Sequence, residues 1–162
     1  MHSNNPNSDY TTPKTGVESV LSSLSIRNYQ MARAYKDSVE LLEGEDSQLR
    51  TYLQELANDH DRWERELNNL LTDLPGTPHT PSKQDNSLLD GRLEELQSAV
   101  KAKNHPQLYQ LALQANQSLE QFYGECLSND NLNESVVAAI KKQGEEILEQ
   151  QRKLDRLKSV PV

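Results

Sequence analysis

His60 lies in the stretch NDHDRWERELNNLL, residues 58–71, among the carboxylates Asp59, Asp61, Glu64 and Glu66 and three residues ahead of the only tryptophan, Trp63. A histidine among acids on a helix is how a carboxylate-bridged metal centre in a helical bundle begins. It is also what an ordinary helix with a wet face looks like, in which case most of these acids face water. His60 and Glu64 are four residues apart, so on a helix they share a face and offer two ligands to one divalent ion. The others would have to come from other helices, where candidates such as Glu40 or Glu120 have no pattern recommending them.

A two-metal carboxylate centre asks for more: a Glu from each of two helices and a Glu-x-x-His motif from each of two others. Three residues before His60 stands Ala57, before His79 Gly76 and before His105 Ala102, so that motif is absent from the chain. On the last helical segment Glu146 and Glu149 are followed by Gln150 and Gln151, whose amides are poor iron ligands. Other chemistries have less behind them. A single cysteine, Cys126, excludes an internal disulfide and a multi-cysteine metal site, and reads as a small core residue. Neighbouring acids such as Glu94 with Glu95 and Glu145 with Glu146 point different ways on a helix and read as a solvated face. No glycine-rich loop follows a strand, so no phosphate cradle is expected.

The elements that would carry these residues are helices. Residues 1–14 are polar and proline-broken and read as a disordered tail. Thr15 with Glu18 forms a capping-box pattern, after which Val17, Val20, Leu21, Leu24, Met31, Tyr35, Val39 and Leu42 recur at helical spacing. Gly44 is expected to end this helix and Asp46 to cap the next. The second helix has the most regular stripe: Leu49, Leu53, Leu56, His60, Trp63, Leu67, Leu70 and Leu74 alternate steps of four and three, and His60 is its one polar member. Residues 75–86, PGTPHTPSKQDN, read as a loop with His79 solvated. A shorter third helix over residues 87–103 carries Leu88, Leu89, Leu93, Leu96 and Val100. Asn104 and Pro106 then start a fourth, with Leu108, Leu111, Ala112, Ala115, Leu119, Phe122 and Cys126 on its stripe, and Asn131 with Glu134 starts a fifth, marked by Val136, Ile140, Ile147, Leu154 and Leu157. The aromatic residues are mostly at core spacing, with Tyr29 and Tyr123 read as partly exposed.

The inward stripes contain polar residues at matching places: Asn28 and Tyr35 on the first helix, His60 on the second, Gln143 and Gln150 on the fifth. A buried neutral imidazole needs a donor and an acceptor, and these residues can supply both. A hydrogen-bonded polar layer is therefore expected, with a role in fixing helix register.

Segments one, two, four and five are rods of roughly 35 to 42 Å. Each short turn makes an antiparallel hairpin, and the loop plus a third helix of ~25 Å is long enough to return along the whole bundle. Two hairpins joined by a long crossover are the ferritin-like topology, so the expected fold is all-α, a ferritin-like four-helix bundle with an extra crossover helix, in a single domain over residues 15–160. The runs DRWERELNNLLTDLPGTP, SLLDGRLEELQSAV, QSLEQFYGECL and KKQGEEILEQQRKLDRLK also resemble a small bacterial family of ferritin-like four-helix-bundle proteins, classed as a domain of unknown function, over about Val17 to Lys158. That resemblance implies the same fold in a cytoplasmic bacterial protein without an assigned activity.

The bulk properties narrow the function classes. The 162 residues carry a formal net charge of −8 and no window of Lys and Arg without neighbouring acids, which disfavours nucleic acid as a partner. The longest uninterrupted apolar run, Val136 to Ile140, is too short to span a bilayer, and residues 1–14 lack a signal-peptide pattern, so no membrane association and a cytoplasmic location are expected. The expected function is a non-enzymatic structural, stress-related or protein-interaction module with no cofactor. The alternative is a metal-binding protein with a degenerate site near His60 and Glu64. Leu88, Leu89 and Leu96 cover either the bundle or a neighbour, which leaves a homodimer or a protein partner open.

Overall fold

The computed structural model describes residues 6–42, 48–74, 90–102 and 104–158, with side chains described for 16–42, 48–74, 95–102 and 104–156. Among these residues the architecture is all-α: α1 (Pro6–Leu41), α2 (Gln48–Asp73), α3 (Asp90–Lys101), α4 (His105–Leu127) and α5 (Glu134–Lys158), with no strand. The expectations for Gly44, Asp46, the loop at 75–86 with His79, and Leu88 and Leu89 lie outside the described residues, as do the side chains of Leu93 and Leu157.

Two helix starts differ from expectation. α1 begins at Pro6, so backbone read as disordered tail is helical from there and Thr15 lies inside the helix. A proline suits a first turn because the N–H it lacks would have no intrahelical acceptor. At the start of α5 the cap is Asn133, whose Oδ1 accepts from the Val136 N–H at 3.0 Å, while Asn131 donates its own N–H to Asn129 Oδ1 at 2.9 Å. Asn129, Asp130, Asn131 and Asn133 all suit a cap, so local sequence does not choose among them. At α4 Asn104 caps as its type suggests, accepting from the Gln107 N–H, with proline in the first turn.

Each inward face follows the helical repeat. On α2 the buried stripe runs through Leu49, Leu53, Leu56, His60, Trp63 and Leu67 and then takes Leu71, at 1% exposure, while Leu70 and Leu74 are half-buried. A straight helix of 3.6 residues per turn drifts by about 20° per heptad against a strict 3.5 repeat. Over three heptads that drift carries the stripe from Leu70 to Leu71.

The long helices pack against neighbours of opposite direction. Ser25 meets Asn68, Asn28 meets His60 and the Val39 carbonyl meets Arg50, so α1 and α2 are antiparallel. Tyr123 meets Gln143 and Asn116 meets the Ile147 carbonyl, which sets α4 against α5. Glu66 meets Gln143, Trp63 meets Glu146 and Glu55 meets Lys153, which sets α2 against α5. Asn28 with Tyr123, and Arg27 stacked 3.9 Å above the Phe122 ring, join α1 to α4. Going round the core, the order is α1, α2, α5, α4. Backbones approach most extensively within α1–α2 and α4–α5, while α3 packs on α4 and α1 and buries Leu96, Ala99 and Val100. Leu96 thus covers the chain's own core.

Candidate polar core site

The α2 stripe carries the His60 imidazole into the interior, where it is fully buried. Tyr35 of α1 stacks on the ring at a centroid distance of 5.7 Å and 27° between planes, and Trp63, one turn on, meets it edge-on at 5.0 Å and 85°. These aromatic walls remove the water that would solvate an imidazolium, and burial pushes the pKa down from 6.5 to about 3. His60 is a neutral imidazole at any ordinary pH.

The tautomer follows from its neighbour. Nδ1 lies 2.8 Å from Asn28 Oδ1. The Asn28 amide nitrogen spends both protons elsewhere, one on the Leu24 carbonyl at 2.9 Å and one on the Tyr123 hydroxyl oxygen at 2.8 Å. The oxygen facing His60 can only accept, so the imidazole proton resides on Nδ1 and the Nε2 lone pair is bare.

From Asn28 the bonds continue in one direction. The Tyr123 hydroxyl donates to Gln143 Oε1 at 2.7 Å, and Gln143 Nε2 donates to Glu66 Oε1 at 2.9 Å and to the Trp63 carbonyl at 3.3 Å. The circuit thereby returns to α2 after visiting α1, α4 and α5. Every link has its donor on the same side, so each bond polarises the next, and the chain ends on a carboxylate at the rim. Asn28, His60, Tyr123 and Gln143 are each 1% exposed or less.

A second, wetter set of bonds lines the α2–α5 seam. The Trp63 indole N–H donates to Glu146 at 2.8 Å, and Arg62 reaches Glu146 at 3.2 Å and Glu66 and Asp59 at 3.5 Å. Partial burial works against the Arg62 charge, but the bond to Glu146 and the three acids outweigh it and raise its pKa. These groups keep about a third of their surface in water, so their ion pairs contribute little individually. Gln150 belongs here: its amide donates to Asp59 at 2.8 Å and its backbone carbonyl accepts from the Tyr52 hydroxyl at 3.2 Å.

Of the polar residues on the inward stripes, Asn28, Tyr35 and His60 meet directly and Gln143 joins them through Tyr123, whereas Gln150 sits nearer the opposite end of the seam. Tyr123, read as partly exposed, is 1% exposed and holds the circuit together. The stripe on α4 runs through Leu108, Ala112, Asn116, Leu119 and Tyr123, and Phe122 is half-buried beneath Arg27. The signal was the three-and-four spacing from Leu119, hidden because two members are polar. The acids near His60 also differ from expectation. Asp59, Asp61 and Glu66 are half-buried and bonded to Gln150, Lys36 and Gln143 respectively, and Glu64 is buried at 8% exposure. Glu40 is exposed on α1. Among the described residues no group of three or more His, Cys, Asp or Glu side chains is placed to hold a metal ion.

The site's chemistry is that of neutral groups bonded to one another. Tyr35 and Tyr123 have phenol pKa values raised by burial, and neither is a ready proton source. Cys126 is buried, and its thiol is pushed up to about 11 because burial outweighs the nearby Arg27 charge. No protein-family model, curated protein or solved structure matches the chain. No helix among the described residues is long and apolar enough to cross a membrane. The assignment of function therefore rests on this geometry.

Proposed function

We propose that the chain is a ferritin-like four-helix bundle in which the level usually given to metal chemistry is occupied by a register-fixing polar layer, and that its work is non-enzymatic. The cyclic order of antiparallel neighbours, with α3 between the two closely packed pairs in the chain, supports the bundle topology. The observation that carries the functional reading is the closed circuit through Asn28, Tyr123, Gln143 and His60, which ties all four long helices at one level. A shift of one helix by a residue would leave several buried polar groups unpaired at once, and each would then cost roughly 1–3 kcal/mol.

A di-iron group does not fit this interior. The convergent side chains are one imidazole, two amides and one phenol, already bonded to each other, where four carboxylates and two imidazoles would be needed. The role that follows is structural, stress-related or protein-binding, in a cytoplasmic bacterial protein like those its sequence resembles. Among the described residues Leu41 is the one large hydrophobic side chain that is exposed, so association with a second copy or another protein would run over a largely polar, acidic surface.

One observation favours a metal-binding second reading. A histidine that donates Nδ1–H to an oxygen and leaves Nε2 bare has the arrangement of a metal ligand, and Glu64, four residues on, is also buried. Metal analysis of the full chain purified without chelator separates the two. We expect no stoichiometric transition metal, and in His60→Leu a broader, less cooperative unfolding transition. A stoichiometric metal lost in His60→Ala would establish the second reading, and a His60→Leu protein that unfolds as cooperatively as the native chain would remove the register role.

A further inference from the structure

Among the described residues the outward faces of the helices are charged, with one exception. α1 exposes Lys36, α2 Arg65, α3 Glu95, and α5 Lys141 and Glu145. On α4 the side chains opposite the buried Ala112, Leu119 and Tyr123 are Gln107, Gln110, Gln114, Gln117 and Gln121. Four of them are exposed and Gln110 is half-buried. Their steps of three, four, three and four are the spacing of a coiled-coil seam, which keeps them in one row along the helix, ~21 Å long. Residues 107–121 contain a single charged side chain, Glu120, which is half-buried and stands to the side of the row.

We propose that this row is a self-association surface, through which two copies of the chain meet α4 to α4, antiparallel about a two-fold axis at the middle of the row. Each copy carries a net charge of −8, so two copies repel one another in most orientations. The outward face of α4 is where they can touch without bringing like charges together. A glutamine amide has both donors and an acceptor, so a row of glutamines is complementary to itself, as a two-fold contact requires. A row of one charged type could not pair with its own copy. The direction follows from the end of the row. Gln121 donates to Glu125 at 3.4 Å, which places a carboxylate at the C-terminal end. Antiparallel packing lays that carboxylate beside the N-terminus of the other copy's α4, where the N–H groups carry partial positive charge, whereas parallel packing would set two Glu125 carboxylates together. A single helix-on-helix contact of this length is at the small end of specific interfaces, below ~1,200 Å², so the dimer is reversible and forms with concentration. This goes beyond the polar-layer reading and does not depend on it, because the layer lies on the opposite face of α4, at Tyr123.

The test is sedimentation velocity of the full chain from micromolar to near-millimolar concentration. The native chain should pass reversibly from monomer to dimer. Added salt should strengthen the dimer or leave it unchanged, because it screens the net charges while the amide contacts carry none. Gln114→Glu combined with Gln117→Glu sets like charges against each other and should weaken the dimer roughly tenfold or more. Both positions are exposed and Glu matches Gln in helix propensity, so the helical content and melting of this variant should stay native. Mixing it with copies carrying Gln114→Lys and Gln117→Lys should restore association, and Gln54→Glu, exposed on α2, should change nothing. A chain that stays monomeric throughout, a dimer that salt dissociates, or a dimer that the double Glu variant leaves intact would each overturn the α4 contact. The register reading stands or falls separately, on the cooperativity of His60→Leu.

Discussion

Acidification should destabilise this protein through His60. Burial holds the folded imidazole at about 3, whereas in the unfolded chain it titrates near 6.5. Because the folded value is the lower, the unfolded state takes up the proton first as pH falls. The stability contributed by keeping His60 neutral is complete above about pH 6.5 and is lost progressively down to about pH 3. One proton corresponds to about 1.4 kcal/mol per pH unit, so lowering the pH from 6.5 to 5 should remove about 2 kcal/mol, a large share of a total that is typically 5–15 kcal/mol. Urea denaturation at pH 7.5, 6, 5.5 and 5, on the native chain and on His60→Leu, measures this directly. At pH 7.5 the variant should be less stable, since Asn28 Oδ1 loses its donor and the cost of an unpaired buried acceptor is ~1–3 kcal/mol, and the gap should narrow or close by pH 5. The decisive quantity is the slope. His2, His79, His105 and every carboxylate are common to both proteins, so the difference between their pH dependences isolates the imidazole. Parallel losses from pH 7.5 to 5 would mean that His60 is protonated in the fold, and would refute both its neutral state and the tautomer deduced from Asn28.

Tyr123→Phe should cost ~1–3 kcal/mol in the same assay, because it leaves an Asn28 N–H and Gln143 Oε1 unpaired without changing the ring's packing. Gly144→Ala and Gly124→Ala should each stabilise by ~0.5–1 kcal/mol, since both glycines are helical and an added Cβ meets nothing within 4 Å. Gly16→Ala should gain less or destabilise, because its Cβ would stand 3.1 Å from Asn131, where the chain turns between α4 and α5; thermal melts of the three variants rank them. Cys126, with its thiol pushed up to about 11 chiefly by burial, should react with a disulfide reagent at pH 8 far more slowly in the native chain than in denaturant; equal rates would place the thiol at the surface.

Spacing alone makes the helices of this chain legible, and with them the burial of His60, because a polar residue inside a leucine stripe has nowhere else to point. The same logic places Asn28 and Gln143 inward. It fails at Tyr123 because apolar spacing on α4 points to Phe122, whereas Asn116 and Tyr123 on the true inward face are both polar. Chains of steps of four and three also accumulate an angular error, which is why Leu71 rather than Leu70 closes the α2 stripe. Which polar residue bonds to which is a different kind of information. Asn28 and Tyr123 are 95 positions apart, and Tyr123 and Gln143 are joined only because α4 and α5 reverse direction between them. No local pattern encodes such pairs.

The direction of the bonds is the part that only the assembled interior supplies, and it decides what His60 can do. Had the Asn28 amide been turned, its nitrogen would face Nδ1 and the imidazole would carry its proton on Nε2, as a donor without a bare lone pair. The Leu24 and Trp63 carbonyls, neither of them a side chain, exclude that arrangement by each requiring an amide N–H. Backbone atoms of α1 and α2 thus determine the protonation pattern of a side chain that the sequence places among acids. Asp59, Asp61 and Glu66 in turn are bonded to Gln150, Lys36 and Gln143. The carboxylates around His60 therefore serve to hold α2 against α1 and α5, which explains how a sequence with the ingredients of a metal ligand set folds into a layer of paired neutral groups.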